Sequence, residues 1–241
     1  MRNLSRLLNP KSIAVIGGGA WCTSIIAAAH QIGFQGILRP VHPSGKTIAG
    51  IPSLPSLDQF PGPVDAAFIG VNRHATLDIV AQLRGLGAGG ATCFASGFSE
   101  AAAEDAAGHD LQAQLIVAAG DMPILGPNCY GFLNALDGCG IWPDQHGCRK
   151  VENGAAILTQ SSNIAINLTM QARGLPIAYV ITCGNQAQTS QTDVGLHLLD
   201  DPRVTSIGLH IEGFGNLRGW EALSLKAQAK NIPLIAIKSG K

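Results

Sequence analysis

Net charge is the first thing this sequence lacks. Its 16 Lys+Arg residues balance its 16 Asp+Glu residues, and charged residues fill only 13% of the 241 positions. No basic field exists to hold a polyanion, so the composition argues against a nucleic-acid partner. It does not argue against a small anion, because backbone N–H groups bind phosphate without net positive charge. Long apolar runs are also missing. Charged residues, Gly or Pro interrupt every candidate span, so no membrane crossing is expected. The N-terminal stretch MRNLSRLLNPKS holds no apolar signal core. Paired cysteines are missing too. Cys22, Cys93, Cys129, Cys139, Cys148 and Cys183 are scattered without CxxC spacing. That pattern gives little support to a metal site or a disulfide framework. Scattered thiols in a chain of this kind read as small core residues of a reducing cytoplasm.

What is present is apolar and rich in turns: 46% apolar residues and 30 glycines. The length suits one large α/β domain or two smaller ones. Runs nearly continuous in Ile, Val, Ala and Leu lie at 12–17, 36–41, 64–71, 91–95 and 122–125. Such runs read as parallel strands with helices over both faces. Helical patterns fill 23–32, 75–86 and 100–119. A second series places strands at 155–159, 177–182, 206–211 and 233–237, with helices at 163–173, 194–200 and 217–230. Between the series, 134–153 has no clear period and is rich in Gly, polar residues and turn formers. The expected fold is α/β and doubly wound: a dinucleotide-type domain over 1–136, a connection over 137–153, and a smaller parallel α/β domain over 154–241, expected to be incomplete.

The first strand runs into Gly17-Gly18-Gly19-Ala20, with a helix expected to begin near Thr23, where Thr23 and Ser24 either cap the helix or add hydroxyl donors. A glycine loop there is either a phosphate cradle or a tight turn. The nicotinamide fingerprint requires a third glycine where Cys22 stands, and a carboxylate ending the second strand, where the sequence reads RPVHP. Lys46 follows closely. It is either a partner for a ligand with an extra phosphate, for which NADP and CoA both qualify, or a solvated loop lysine.

Several further motifs occur in order. They are PVHPSGKTIAGIPSLPSL, VDAAFIGVNRHAT, GGATCFASGFSE, ILGPNCYGFLN, LTQSSNIA, ITCGNQAQTSQTDVG, DDPRVTSIGLHIEG and IPLIAIKSGK. Together they resemble the NDP-forming acyl-CoA synthetases, the family of succinyl-CoA synthetase, with G-P-N-C-x-G the most distinctive piece. The resemblance implies a Rossmann-like CoA-binding domain followed by a flavodoxin-like domain. It also implies an ATP-grasp domain or subunit as partner, which brings ATP and Mg2+. The implied reaction joins a carboxylate, CoA and ATP into acyl-CoA, ADP and phosphate through an acyl phosphate and a phosphohistidine.

On that resemblance, Gly18, Gly19, Ala20, Thr23, Ser24 and Lys46 would hold the CoA phosphates. Val71, Asn72, Arg73, Ser96, Gly97, Phe98, Pro127, Asn128 and Cys129 would lie on the ligand edge of the sheet. Asn128 either donates to an acyl or phosphoryl oxygen or shapes the turn after Pro127. Cys129 has no visible base to activate it. Ser161 and Ser162, with Gly184 and Asn185, would form a phosphate site, or Ser161 is an ordinary helix cap. Glu212 would orient the phosphohistidine imidazole, or is a strand-end surface carboxylate.

The sequence also departs from the family. No histidine among His30, His42, His74, His109, His146, His197 and His210 matches the phosphohistidine position, so that residue is expected outside this chain. Asn163 replaces the usual glycine after the two serines, and Trp21 is unexpected in the first loop. A non-catalytic CoA-sensing module, such as the regulatory part of a protein acetyltransferase, is the alternative. No metal site is expected, and homo-oligomerisation is left open.

Overall fold

The structure is a computed structural model and describes residues 2–105 and 107–240. A short helix, α1 (Ser5–Leu8), buries Leu7 and Leu8. The first sheet then builds from β1 (Ser12–Ile16), α2 (Ala20–Ile32) and β2 (Ile37–Val41). A small hairpin, β3 (Thr47–Ile48) and β4 (Ile51–Pro52), precedes β5 (Ala66–Ile69). Helix α3 (Arg73–Gly85), β6 (Ala91–Cys93), α4 (Ala107–Ala119) and β7 (Ile124–Leu125) complete it. The order is β2-β1-β5-β6-β7, every pair parallel. The winding reverses between β1 and β5, and the loops leaving that switch point diverge to open a crevice.

The second sheet repeats this plan. Its elements are β8 (Phe132–Asn134), β9 (Cys139–Ile141), β10 (Gly154–Thr159), α5 (Ser162–Thr169) and β11 (Ile177–Thr182). They are followed by α6 (Gln191–Leu198), β12 (Val204–Ile211), α7 (Leu217–Ala229) and β13 (Leu234–Lys238). The order is β13-β12-β10-β11-β8-β9, with β10 to β13 parallel and β8 and β9 antiparallel. Its switch point lies between β10 and β12.

The β8–β9 hairpin differs from expectation. Residues 137–153 were expected to be a connection, yet β9 lies within them and β8 just before them, and the pair extends the second sheet through β11. Asn134 anchors it: its buried side chain donates to the Leu8 carbonyl at 3.0 Å. Helix α2 begins three residues earlier than Thr23, and the 100–119 stretch splits into a 3-10 turn at Ser99–Ala101 and α4. Residue 106 of that stretch, and Lys241 of the KSGK motif, lie outside the described residues.

One apolar cluster runs through both sheets, from Leu7, Ile13 and Phe68 to Phe132, Ile181 and Leu209. A second cluster, with Ile69, Val80, Leu83 and Leu115, fills the outer face of the first sheet. Continuous burial between the sheets fixes their relative position, since a close-packed interior resists sliding.

Candidate functional site

The two switch points face each other. Loops leaving the C-terminal ends of β1, β5, β6 and β7 meet those leaving β10 and β12 around one cleft of about 750 Å³. The cleft brings together Val71, Asn72, Arg73, Ser96, Asn128 and Cys129 from the first sheet with Ser161, Ser162 and Glu212 from the second.

The glycine loop adjoins the cleft through Trp21. Gly17 makes the turn tight: its φ is +126°, and a Cβ there would lie 2.6 Å from the Gly70 carbonyl. Only glycine allows strands β1 and β5 to separate at that distance. Gly19 is the N-cap of α2 and provides no side-chain cap, so the first-turn N–H groups stay available to a ligand. Lys46 closes over the loop, donating from Nζ to the Gly18 carbonyl at 2.7 Å. A Cβ on Gly18 would sit 2.5 Å from that Nζ, so a side chain there would displace the lysine from the loop.

Thr23 and Ser24 do not cap the helix. They are the fourth and fifth residues of the helix, because the chain is already helical at Ala20 and Gly19 takes the cap position. Phe98 is also misassigned: its ring is fully buried in the outer core and presents nothing to a ligand. Gly97 is occupied by its neighbours. Its carbonyl accepts from Arg73 Nη1 at 2.6 Å, and its N–H donates to Glu100 Oε1 at 2.6 Å. Nη2 of Arg73 pairs with Asp105, and that guanidinium holds the Asp105 carboxyl below the usual range.

Asn72 caps α3, accepting from the N–H groups of His74 and Ala75 at 3.1 and 3.0 Å. Asn128 has φ +57°, a left-handed conformation that asparagine tolerates, and its side chain is exposed on the cleft. Pro127 is buried behind it. Burial pushes the Cys129 thiol well up, so it stays protonated.

Gly184 and Asn185 do not join Ser161 and Ser162. They pack behind the Pro127–Asn128 turn, with the Asn185 N–H donating to the Pro127 carbonyl at 3.0 Å. The Asn185 amide is held by Glu100 and Gln112. Ser161 is the N-cap of α5 and accepts from Ile164 N–H at 3.4 Å. Glu212 is exposed on the cleft and projects from a turn gripped by Gln160. Gln160 Oε1 accepts from the N–H groups of Glu212 and Gly213, and Nε2 donates back to the Gly213 carbonyl at 3.0 Å.

Trp21, Phe94, Tyr130, Gln160 and Asn163 also line the cleft, and were not expected as site residues. An indole in a glycine loop and a glutamine before the serine pair were the visible signals. Burial, then the Asp144 carboxylate, push the Tyr130 phenol up, so it stays neutral and donates to Asp144 at 3.3 Å.

The model of the CoA binding domain matches residues 11–135. The chain belongs to the CoA-binding domain family of the NDP-forming acyl-CoA synthetases. The model of the succinyl-CoA ligase like flavodoxin domain matches residues 152–241. Among curated members, a trans-feruloyl-CoA synthase of an unknown prokaryotic organism is 28% identical over 100% of this chain and 35% of its own length. The alpha subunit of an ADP-forming acetate–CoA ligase II of Pyrococcus furiosus is 26% identical over 99% of this chain and 52% of its own length. Among solved members, the dinucleotide-forming acetyl-coenzyme A synthetase 1 of Ca. Korarchaeum cryptofilum, in complex with phosphate and ADP, superposes with a TM-score of 0.86 at 26% identity. It covers 100% of this chain, which spans 52% of that one. The chain therefore spans about a third to a half of the length of these family members.

Proposed function

We propose that the cleft binds coenzyme A and that the chain is the CoA-binding portion of an NDP-forming acyl-CoA synthetase. The observation that carries this is the meeting of two switch points, one with a glycine loop and the other with Glu212, across a single cleft. The residues fit the ligand. The uncapped start of α2 offers backbone donors to a pyrophosphate, and Lys46 Nζ stands over the same loop as a point charge for a phosphate. CoA supplies the thiol that takes the acyl group. Asn128, exposed on the cleft at the end of β7, would donate to the acyl or phosphoryl oxygen, as an oxyanion partner does. Ser162 and the first turn of α5 would receive phosphoryl oxygens opposite it.

Glu212 would hold the imidazole of a phosphohistidine, fixing its tautomer and supporting its positive charge. No histidine lines the cleft among the described residues. His210 is bound at both ring nitrogens, Nδ1 to Thr159 Oγ1 at 3.1 Å and Nε2 to Ser239 Oγ at 2.9 Å. The phosphohistidine, ATP and Mg2+ would therefore come from outside residues 1–241, the nucleotide on an ATP-grasp domain or subunit. The six free thiols fit a reducing cytoplasm. Neither ring nitrogen of His210 is free, which also suits a CoA-sensing module that does no chemistry.

Titration calorimetry with CoA, acetyl-CoA and NADPH tests the reading. CoA and acetyl-CoA should bind and NADPH should not. NADPH displacing CoA would overturn it. Labelled ATP separates the two variants: this chain alone should take up no label, and a complete protein that also takes up none would favour the sensing module.

A further inference from the structure

The cleft has one wall out of keeping with the rest of the chain. Aromatic residues are scarce, with 7 Phe, 3 Trp and 2 Tyr. Three of them nonetheless gather on the cleft. Trp21 and Phe94 have ring centroids 5.2 Å apart, Phe94 and Tyr130 5.9 Å, and Trp21 and Tyr130 6.2 Å. All three distances fall in the range of attractive ring pairs. The triangle is backed by buried rings: Phe68 lies 5.4 Å from Phe94, and Trp142 meets Tyr130 edge-on at 5.6 Å. The Tyr130 hydroxyl is held by Asp144 at 3.3 Å. The wall is therefore fixed by its own backing and presents rings rather than polar atoms.

Core packing accounts for Phe94 and Tyr130, which pack against the cores, but not for Trp21. Phe68 and Trp142 are fully buried, but Trp21 leaves 44% of its surface exposed at the start of α2. The rest of the cleft lining is largely polar, with Asn128, Ser162, Asn163 and Glu212. A ligand touching both the rings and the polar lining needs an aromatic body and an acyl or phosphoryl head. An acetyl group has no body to lay on three rings.

We propose that the Trp21–Phe94–Tyr130 wall receives the acyl group, and that this group is aromatic, an aryl carboxylic acid carried as its CoA thioester. The inference rests on the proposed CoA site. The aromatic ring lies on Trp21 and Phe94, and the thioester carbonyl points to the polar lining residues. Rigid rings already in place take a flat ligand without reordering, which favours an aryl group over a flexible alkyl chain of similar size.

The test is a calorimetric titration of the chain with CoA, acetyl-CoA, hexanoyl-CoA and cinnamoyl-CoA. Cinnamoyl-CoA should bind about tenfold more tightly than CoA, and clearly more tightly than hexanoyl-CoA, from roughly two added ring contacts. Trp21→Ala should bring the cinnamoyl-CoA to CoA affinity ratio close to one, and Trp21→Phe should keep most of it. Equal binding of hexanoyl-CoA and cinnamoyl-CoA by the parent overturns the proposal without any variant. A ratio unchanged in Trp21→Ala overturns it as well, because the wall would then serve the CoA body. Failure of CoA and all three thioesters to bind removes the CoA site itself. CoA binding with no aromatic preference removes only this inference.

Discussion

Gln160 holds Gly213 by both atoms of its side-chain amide: Oε1 accepts from the Gly213 N–H at 2.9 Å, and Nε2 donates to the Gly213 carbonyl at 3.0 Å. The same Oε1 also accepts from the Glu212 N–H. A residue leaving β10 thus fixes the turn leaving β12, across the switch point of the second sheet. Glu212 owes its position to that clasp.

Gln160→Ala should therefore loosen the turn. With about 0.5 kcal/mol for each of the three exposed hydrogen bonds, Tm should fall by roughly 3–6 °C in differential scanning calorimetry. A fall below about 1 °C would show that the turn holds itself.

Lys46 is a point charge over the glycine loop. Lys46→Ala should weaken CoA at least about tenfold, the scale of one charge-assisted hydrogen bond. The parent should lose affinity with added salt more steeply than the variant. Calorimetry at two ionic strengths reads both, and an unchanged affinity would remove Lys46 from the site.

Gly184 has φ +52°, and a Cβ there would lie 2.3 Å from the Pro127 carbonyl and 2.6 Å from the Asn128 carbonyl. Both atoms are backbone and cannot swing away. Gly184→Ala should cost roughly 1–3 kcal/mol or more, shift the Asn128 turn and lower CoA affinity along with Tm. An unchanged Tm would falsify the close approach.

Arg203 binds Asp137 with two nitrogens, at 2.9 and 3.0 Å, and Asp201 at 2.8 Å. Its hydrogen bonds hold the Asp137 carboxyl low. Burial pushes Asp201 up, but hydrogen bonds from Arg203 and Tyr179 outweigh it and leave that carboxyl low as well. Carboxyls depressed in the folded state add stability that is complete above their unfolded pKa, about 3.9, and is lost as pH falls through the folded value. Urea unfolding should show a plateau from pH 7 to about 5 and a decline below about 4. Arg203→Gln should lower the plateau and flatten the decline. A decline of unchanged steepness would assign the acid response to other groups.

Much of the fold was legible because its signals are local. A parallel strand covered on both faces reads as an apolar run whatever its partners, and glycines mark the turns between strand and helix. The β8–β9 hairpin was not legible. Its three-residue strands, FLN and CGI, carry no period, and they are strands because β11 and the Leu8 carbonyl complete them. Among the candidate site residues, Val71, Asn128 and Glu212 line the cleft at strand ends, and the family resemblance together with chain position had pointed to them. Phe98 was not legible, since one rotation about a strand end moves a side chain from ligand to core, and Thr23 and Ser24 lie outside the core but inside α2 rather than at its cap. Asn185 went to Glu100 and Gln112, 85 and 73 residues away, where no spacing rule reaches.

The sequence by itself determined two doubly wound parallel sheets, a glycine loop with a lysine beside it, and a family whose motifs run the length of the chain. Only the tertiary structure decided that the two switch points share one cleft, and that Trp21 stands in it against Phe94 and Tyr130. The reason is physical. Strand formation and loop chemistry depend on neighbours within a few residues, whereas a cleft wall is set by how a continuous core seats one sheet against the other.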